Sequence, residues 1–520
     1  MPAMNSARRR SAAMAIAACA ALGLAGNAAA SGSWSSGQAA NVVLGEPNFT
    51  TGSGNNMSAS NMNGVDGVAV DPTTGKLFVS DNGNRILRFS SAAAAQNGAA
   101  AEALFGQNNF TTGGSNAGNG AVASAFSLRT SQQMVVDPAG RLWVADRDNH
   151  RVLRFDNAST KASEANADGV LGQADFVANL ANRGGTVAAN TLNGPVGVWI
   201  DGLGVLWVGD ESNHRVLAYA LPALKANGAN ADLVLGQADF VHNAYSNTAS
   251  TMRNPRGVVV DASGTLYVAD SLNSRVLRFA NAVAKANGAA ADGVLGHQGT
   301  TQSGMVGPIG VTVDGAGRLY VGDGQNNRVL IFENAAAKAD LANADFVLGQ
   351  ANFTTGTQNT GGITASTMFA PGQVFYDKTT NSLWVADYAN WRALRFFGPG
   401  GPTTLDVDVS QSATKYDALT DGLLILRHLF GLTGTSLSSG ALGGTATRTD
   451  PVAIKNYLAG ISSQLDVDGN GHADALTDGL LIVRYLFGLR GAALTAGAYD
   501  PSGSRTSAAA IESYIQSLMP

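Results

Sequence analysis

Residues Gly257 to Phe279 read GVVVDASGTLYVADSLNSRVLRF. Three short apolar runs lie in this stretch, Val258–Val260, Leu266–Ala269 and Val276–Phe279, separated by Asp, Ser, Gly and Asn. Runs rich in β-branched and aromatic residues and bounded by turn formers predict three successive antiparallel strands. The stretch recurs as GVAVDPTTGKLFVSDNGNRILRF from Gly67, QMVVDPAGRLWVADRDNHRVLRF from Gln133, GVWIDGLGVLWVGDESNHRVLAY from Gly197, GVTVDGAGRLYVGDGQNNRVLIF from Gly310 and QVFYDKTTNSLWVADYANWRALRF from Gln373. One unit is therefore built six times, and the repeat governs how any single residue is read.

A fourth short run follows five of these cores: Leu104–Gln107, Val170–Gln173, Val234–Gln237, Val294–His297 and Val347–Gln350. A polar loop such as Ala238–Asn254 then leads to the next core. Four-stranded sheets at a fixed period predict an all-β propeller, and near-continuous apolar strands fit sheets covered on both faces. The sixth core ends at Phe396-Phe397 without a fourth run, while a spare one, Val42–Gly45, precedes the first core. The spare run is expected to complete the last sheet, closing a six-bladed ring over residues 41–397 with no open edge.

The repeated core, and above all Asn149-His150-Arg151 and Asn213-His214-Arg215, resembles the NHL repeat. The resemblance implies a six-bladed NHL propeller. It leaves the activity open, because that family includes protein- and RNA-binding modules, extracytoplasmic sensor domains and a metal-dependent lyase of peptide amidation.

Each unit carries an Asp at the end of its second strand (Asp81, Asp146, Asp210, Asp270, Asp323, Asp387) and an Arg at the start of its third (Arg85, Arg151, Arg215, Arg275, Arg328, Arg392). An acid that recurs in every unit is expected to accept turn amides and pair with its arginine rather than catalyse. The propeller's histidines, His150, His214, His242 and His297, do not form a zinc-ligand pattern, and no Gly-x-Ser-x-Gly elbow is present. Binding is the more natural use of the ring. On the face that carries the long loops, Tyr388, Trp391, Asn149, His150, Asn213 and His214 are candidates to hold a peptide or a sugar.

Composition agrees with an exported β-rich protein: 520 residues, 45% apolar, only 14% charged, formal net charge −5. An acidic balance without a basic cluster argues against a nucleic-acid partner. Arg8–Arg10, a small-residue apolar stretch and Ala28-Ala29-Ala30 predict a signal peptide over residues 1–30. Lipoprotein processing at Cys19, the only cysteine, is the alternative. No other stretch approaches the ~20 apolar residues of a membrane span.

A Gly/Pro linker, 398–404, leads to a second domain, 405–520, in which Asp-Ala-Leu-Thr-Asp-Gly-Leu-Leu occurs at Asp417–Leu424 and again at Asp474–Leu481. Amphipathic helices follow each copy, so the domain reads as a duplicated loop–helix–loop–helix unit. Before the second copy stand Asp466, Asp468, Asn470, His472, Asp474 and Asp478. Oxygen donors at alternate positions, a Gly for the turn, the carbonyl of His472 and a carboxylate at the helix start suit calcium. The first copy offers Asp406, Asp408, Ser410, Asp417 and Asp421, lacks the Gly and is longer. This half resembles the dockerin module, which binds calcium in two loop–helix repeats and docks on cohesin; Leu419-Thr420 and Leu476-Thr477 fall where that family keeps its recognition residues. Two departures stand out: one residue more than the usual twelve in the second loop, and an additional helix in each repeat.

The sequence thus predicts a secreted, calcium-containing binding or assembly protein, with a protein or carbohydrate ligand on the propeller and a cohesin-like partner on the helical domain. The alternative is an extracellular enzyme, either carbohydrate-active or a propeller lyase.

Overall fold

The computed structural model describes residues 34–519 except 53, 55, 400–404, 411–415, 447 and 463, and only the backbone of 452, 453, 456, 460 and 517. The proposed signal peptide, Cys19 and most of the linker lie outside the described residues.

Six four-stranded antiparallel sheets make the propeller. Blade 1 comprises Val65–Val70, Leu77–Asp81, Arg85–Phe89 and Ala103–Phe105 in that spatial order, and blades 2 to 5 repeat it. Blade 6 takes its first three strands from Pro371–Asp377, Ser382–Asp387 and Arg392–Phe397. Its fourth is Val42–Leu44, with Val43 opposite Leu394. The expected closure by the N-terminal run is what the structure has. The innermost strands of neighbouring blades pack all the way round, the first against the last included.

Six apolar clusters fill the spaces between adjacent blades, for example Phe78, Phe105, Val144 and Phe155 between blades 1 and 2. Each apolar run meets neighbours on both faces, which is why it lacks a polar alternation. The repeated V-D…L-[W/Y]-V spacing has a hydrogen-bonding cause. Trp207 donates its ring N–H to Asp201 (2.9 Å) and Tyr320 its hydroxyl to Asp314 (2.8 Å), six residues back, so the aromatic ring is buried with its polar atom satisfied. The Leu-Gly-Gln ending of the fourth strand is explained too. Gly236 has φ +84, and an added Cβ would meet Met252 Sδ at 2.8 Å. Gln237 then ties the loop down by donating to the carbonyls of His214 (3.0 Å) and Ala244 (2.8 Å).

Residues 405–519 form a helical module with one core, including Leu424, Ile425, Ile454, Leu481, Ile482 and Ile511. Helices Asp421–Leu429 and Leu480–Leu486 pack on each other, and each is followed by a one-turn helix, Thr435–Ser438 or Ala492–Thr495, and then by a longer one, Pro451–Gly460 or Ala508–Ser517. The duplication read from sequence is thus present in the fold, with an extra helical turn in each repeat. Among the described residues no helix is long and apolar enough to cross a membrane.

Candidate functional site

The repeated aspartates and arginines of the propeller tie its loops together. Asp146 accepts the Arg129 amide (2.7 Å), the Asn149 side-chain amide (2.9 Å) and Arg151 Nε (2.7 Å). Arg151, fully buried like its partner, donates its other nitrogens to the carbonyls of Phe176, Ser124 (3.0 Å) and Ser127 (2.8 Å), on the loops leaving and entering its blade. Arg215 repeats this with Asp210 (2.8 Å), Phe240, Ala188 and Thr191. Burial pushes the carboxyls of Asp81, Asp270, Asp323 and Asp387 up, against the opposing pull of the arginine and amide donors. With every carboxylate so engaged, the ring offers no free ligand for a metal.

The loop-face candidates divide. Asn149 and Asn213 are fully buried. Each spends its amide on the ring Asp and on a neighbouring asparagine, Asn116 or Asn182. His150 and His214 stand in left-handed backbone (φ 52 and 55), half-buried. Their Nδ1 atoms accept the amides of Gly194 (3.0 Å) and Asn254 (3.2 Å) from the next blade. Asn84 and Asn327 hold the same place and accept Thr130 (2.7 Å) and Ala370 (2.9 Å). In four blades the position holds Asn or His, which tolerate positive φ and supply the acceptor; in blade 4 it is Ser274 (φ 52). Trp391 occupies it in blade 6 and packs over Gly54, where an added Cβ would lie 2.4 Å from the indole. Tyr388 alone is an exposed platform, 37% accessible, with the Asn82 amide at 3.5 Å from its hydroxyl.

In the helical module two carboxylate triplets converge, Asp406, Asp408 and Asp421, and Asp466, Asp468 and Asp478, with oxygens of each set within 4.8 Å of one another. Oxygens ligating one calcium ion at ~2.4 Å cannot be farther apart than about 5 Å, so an oxygen-only set at this spacing fits that ion. Asp478 accepts the amides of Val467 (2.6 Å), Asp468 (3.1 Å) and Asp474 (2.8 Å), and Asp421 those of Val407 (2.6 Å), Asp408 (3.2 Å) and Asp417 (3.1 Å). Burial, with the neighbouring Asp408 charge, pushes Asp421 up to about 7, and burial likewise raises Asp478.

The extra loop residue is absorbed in the backbone. Both helix starts open with a wide turn, closed by Gly479 N–H to Asp474 C=O (3.0 Å) and Gly422 N–H to Asp417 C=O (3.1 Å). That i→i−5 turn carries Asp478 back to the loop although it stands at the thirteenth place. The other candidates lie outside the triplets. His472 and Asp474 are exposed. Asn470 accepts the His472 amide (2.8 Å), Asp417 that of Leu419 (2.7 Å), and Ser410 donates to Asp408.

Two arginines complete the loops without a part in the sequence-based ligand set. Arg505 donates to the carbonyls of Val467 (2.6 Å) and Asp466 (2.6 Å) and stacks on Tyr514 (3.9 Å). Arg448 donates to Val407 and stacks on Tyr457 (3.8 Å). Their signal was the Arg-Thr pair at matching places in the two copies. Asp468 is further tied to the Asp500 amide (2.8 Å), and Asp408 to that of Gly443 (2.6 Å).

Residues 133–155 and 252–279 match the NHL repeat. The propeller contains NHL repeats, in its second and fourth blades. A search of curated proteins finds no matching sequence. Among solved structures, a gluconolactonase of Xanthomonas campestris is 15% identical, covering 69% of this chain and 98% of its own (TM-score 0.39). A streptogramin B lyase is 12% identical over 67% and 95% (TM-score 0.38). A structural genomics protein of unknown function from Bacteroides thetaiotaomicron is 13% identical over 69% and 74% (TM-score 0.40). Likeness at that level assigns no activity to this propeller.

Proposed function

We propose that this is a secreted binding and assembly protein, in which the NHL propeller presents a ligand- or protein-binding face and the helical module is a dockerin-like, calcium-stabilised docking unit. The observation that carries the reading is the duplicated carboxylate triplet, because three acids brought together twice, with a fixed backbone frame, disfavour folding until a cation neutralises them. Asp466, Asp468 and Asp478 would hold one ion, and Asp406, Asp408 and Asp421 a second. Calcium, when bound, supplies charge neutralisation and a tie between loop and helix start; the chain supplies the amides and the arginine straps that preform each loop.

A docking face is supported by exposed apolar residues at matching places in the two repeats, Leu419 and Leu476 (62% and 69% exposed) and Phe430 and Phe487 (55% and 56%). Under the enzyme reading the propeller would need histidines or an asymmetric set of carboxylates facing the channel; the non-repeated acids Glu211 and Asp148 are held by Arg147, and Glu211 by Arg256 as well. His242 is engaged with Asp239 (2.7 Å) and His297 with Ser303 (3.1 Å), both on exposed loops. The test is calorimetric titration of the full chain with calcium. Two ions per chain, reduced to one by Asp466→Ala with Asp468→Ala, is the expected result; no calcium uptake sinks the proposal.

A further inference from the structure

Blade 4 departs from the other five at its outer rim. Elsewhere the fourth strand is followed by an Asx-Phe pair: Asn48-Phe49, Asn109-Phe110, Asp175-Phe176, Asp239-Phe240 and Asn352-Phe353. The Asx side chain accepts the amide two residues on, as Asp239 does from Val241 (2.9 Å) and Asn352 from Thr354 (3.0 Å), and so folds a turn that presents the Phe carbonyl. That carbonyl accepts from Nη1 of the blade's ring arginine, Phe240 from Arg215 (2.7 Å) and Phe49 from Arg392 (2.6 Å) among them. The phenyl ring packs on the cluster that holds the middle residue of the fourth strand, Phe240 with Val234 and Phe353 with Val347.

After blade 4 this turn is missing. Only eight residues separate Gly296 from Met305, where fifteen to twenty-one separate the same Gly from the Met or Leu it packs on in the other blades. Thr300 stands where the phenylalanine would be, and its hydroxyl turns to Asn326 of blade 5 (2.6 Å). Arg275 is left with a spare donor. It gives Nε to Asp270 (2.7 Å) and Nη2 to the carbonyls of Thr248 (2.7 Å) and Thr251 (3.0 Å), while its Nη1 meets no acceptor among the described residues. Its side chain is 11% exposed, where the other five ring arginines are closed to solvent. Val294 is likewise only partly buried, although Val43, Leu104, Val170, Val234 and Val347 at the same place are buried. An open cavity of about 370 Å³ is lined by both, with Leu272, Leu341 and His297. Leu341 stands in left-handed backbone (φ 58), its amide on the Val294 carbonyl (3.0 Å), where Gly37, Gly98, Gly228 and Gly288 stand beside other blades, and its side chain is 48% exposed. Beside blade 3 that glycine is needed, since a Cβ on Gly288 would lie 2.9 Å from Ala238 of the following loop.

We propose that this cavity receives a peptide turn of another protein, an Asx-Phe segment whose phenylalanine carbonyl accepts from Arg275 Nη1 and whose ring covers Val294 beside Leu341. The chain itself carries the occupant at five of its six rims. A donor without an acceptor and an uncovered apolar residue are what the missing turn leaves behind, and one aromatic residue of a partner satisfies both. A free carboxylate is the poorer match, because Asp270 already meets the charge of Arg275.

The inference rests on the propeller being a protein-binding module, and the test separates the two. The probe is a capped, fluorescently labelled hexapeptide of residues 351–356, Ala-Asn-Phe-Thr-Thr-Gly, titrated with the full chain and followed by anisotropy. Saturable binding is expected, weaker by about tenfold or more for a peptide carrying Phe353→Ala. In the full chain Leu341→Asn, which suits left-handed backbone, should weaken it by about threefold or more at unchanged melting temperature. Replacing residues 297–304 by a second copy of residues 237–251 supplies the missing turn from within; it should abolish binding and raise the melting temperature of the propeller. If that graft does not fold, Leu341→Asn and the altered peptide still decide. No saturable binding, or benzoate competing as well as the unlabelled peptide, overturns the inference. Peptide binding that Leu341→Asn and the graft leave unchanged overturns the site while keeping the propeller a protein-binding module, and calcium uptake by the helical module is read independently of either.

Discussion

In the propeller every ring carboxylate is met by an arginine, as Asp146 is by Arg151 at 2.7 Å, with both side chains fully buried. In the helical module Asp466, Asp468 and Asp478 are brought to one another instead, and the adjacent Arg505 gives its guanidinium to backbone carbonyls. Both arrangements take carboxylates out of water, and both preform their donors. They differ in where the positive charge comes from: the chain itself in the propeller and, on the function proposed above, a bound cation in the module. A buried acid with its counter-ion on the next strand is part of the scaffold, whereas acids gathered on one another are, on the proposed reading, cation ligands. The following experiments press on that difference.

The largest effect belongs to ring closure. Deleting residues 41–46 removes Val42, Val43 and Leu44, all buried, from the edge of blade 6. At roughly 1.5–3 kcal/mol per side chain the loss is about 5 kcal/mol or more, with an exposed sheet edge as a route to aggregation. Denaturant melts of the truncated chain should show it, and calcium should not restore it.

Next comes the built-in counter-ion. Arg151→Met strands Asp146 in the interior and should cost about 3–5 kcal/mol, again without any response to calcium or chelator. A melt that calcium rescues would mean that the ring, too, borrows its charge from solution.

Asp478→Asn takes the helix-start carboxylate from the second triplet. At a calcium concentration a hundredfold above the dissociation constant, it should abolish about 3 kcal/mol of calcium-linked stability. With chelator present the same substitution should cost no more than about 1 kcal/mol, the backbone amide contact that the NH2 group cannot accept being partly offset by relief of like-charge crowding. Thermal melts in the two conditions give opposite answers for a scaffold acid and a ligand.

The smallest effect lies between blades. Burial holds His150 and His214 below their ordinary value, in the neutral form whose Nδ1 can accept an amide. Stability from these two contacts is whole above about pH 6.5, the unfolded value, and is lost as pH falls from there through the lowered folded value. The double variant His150→Asn, His214→Asn keeps the acceptor without the titration. It should match the wild type within about 0.5 kcal/mol at pH 7.5 and lose less of its stability between pH 7 and 5. Equal losses would show that the histidines accept nothing.

Blade number and the scaffold role of the Asp and Arg ring could be read from the sequence because each was stated six times over, and closure because a single spare run, Val42–Gly45, matches the one the sixth core lacks. What repetition did not state was harder to see. Asn149 and Asn213 sit in a turn that looks polar and exposed, yet the left-handed residue after each folds the amide inward onto the ring carboxylate. The i→i−5 turn at Gly479 left only one surplus residue as its trace, because backbone hydrogen bonding, not side-chain type, sets where Asp478 points. Asp66 lies one place before the repeated frame begins at Gly67, so the alignment of units passed over the one acid on the innermost strands without a partner for its second oxygen.

Differential scanning calorimetry of the full chain, run with calcium and then with chelator, puts the difference between the two halves to the test in one measurement. Two unfolding transitions are expected, one for the propeller and one for the helical module. Calcium should raise the module's transition, and chelator should lower it by an amount that grows with the calcium concentration replaced, while the propeller's stays in place. If chelator moves neither transition, or moves the propeller's as much as the module's, then the gathered carboxylates are not a calcium site and the distinction between the two kinds of buried aspartate is wrong.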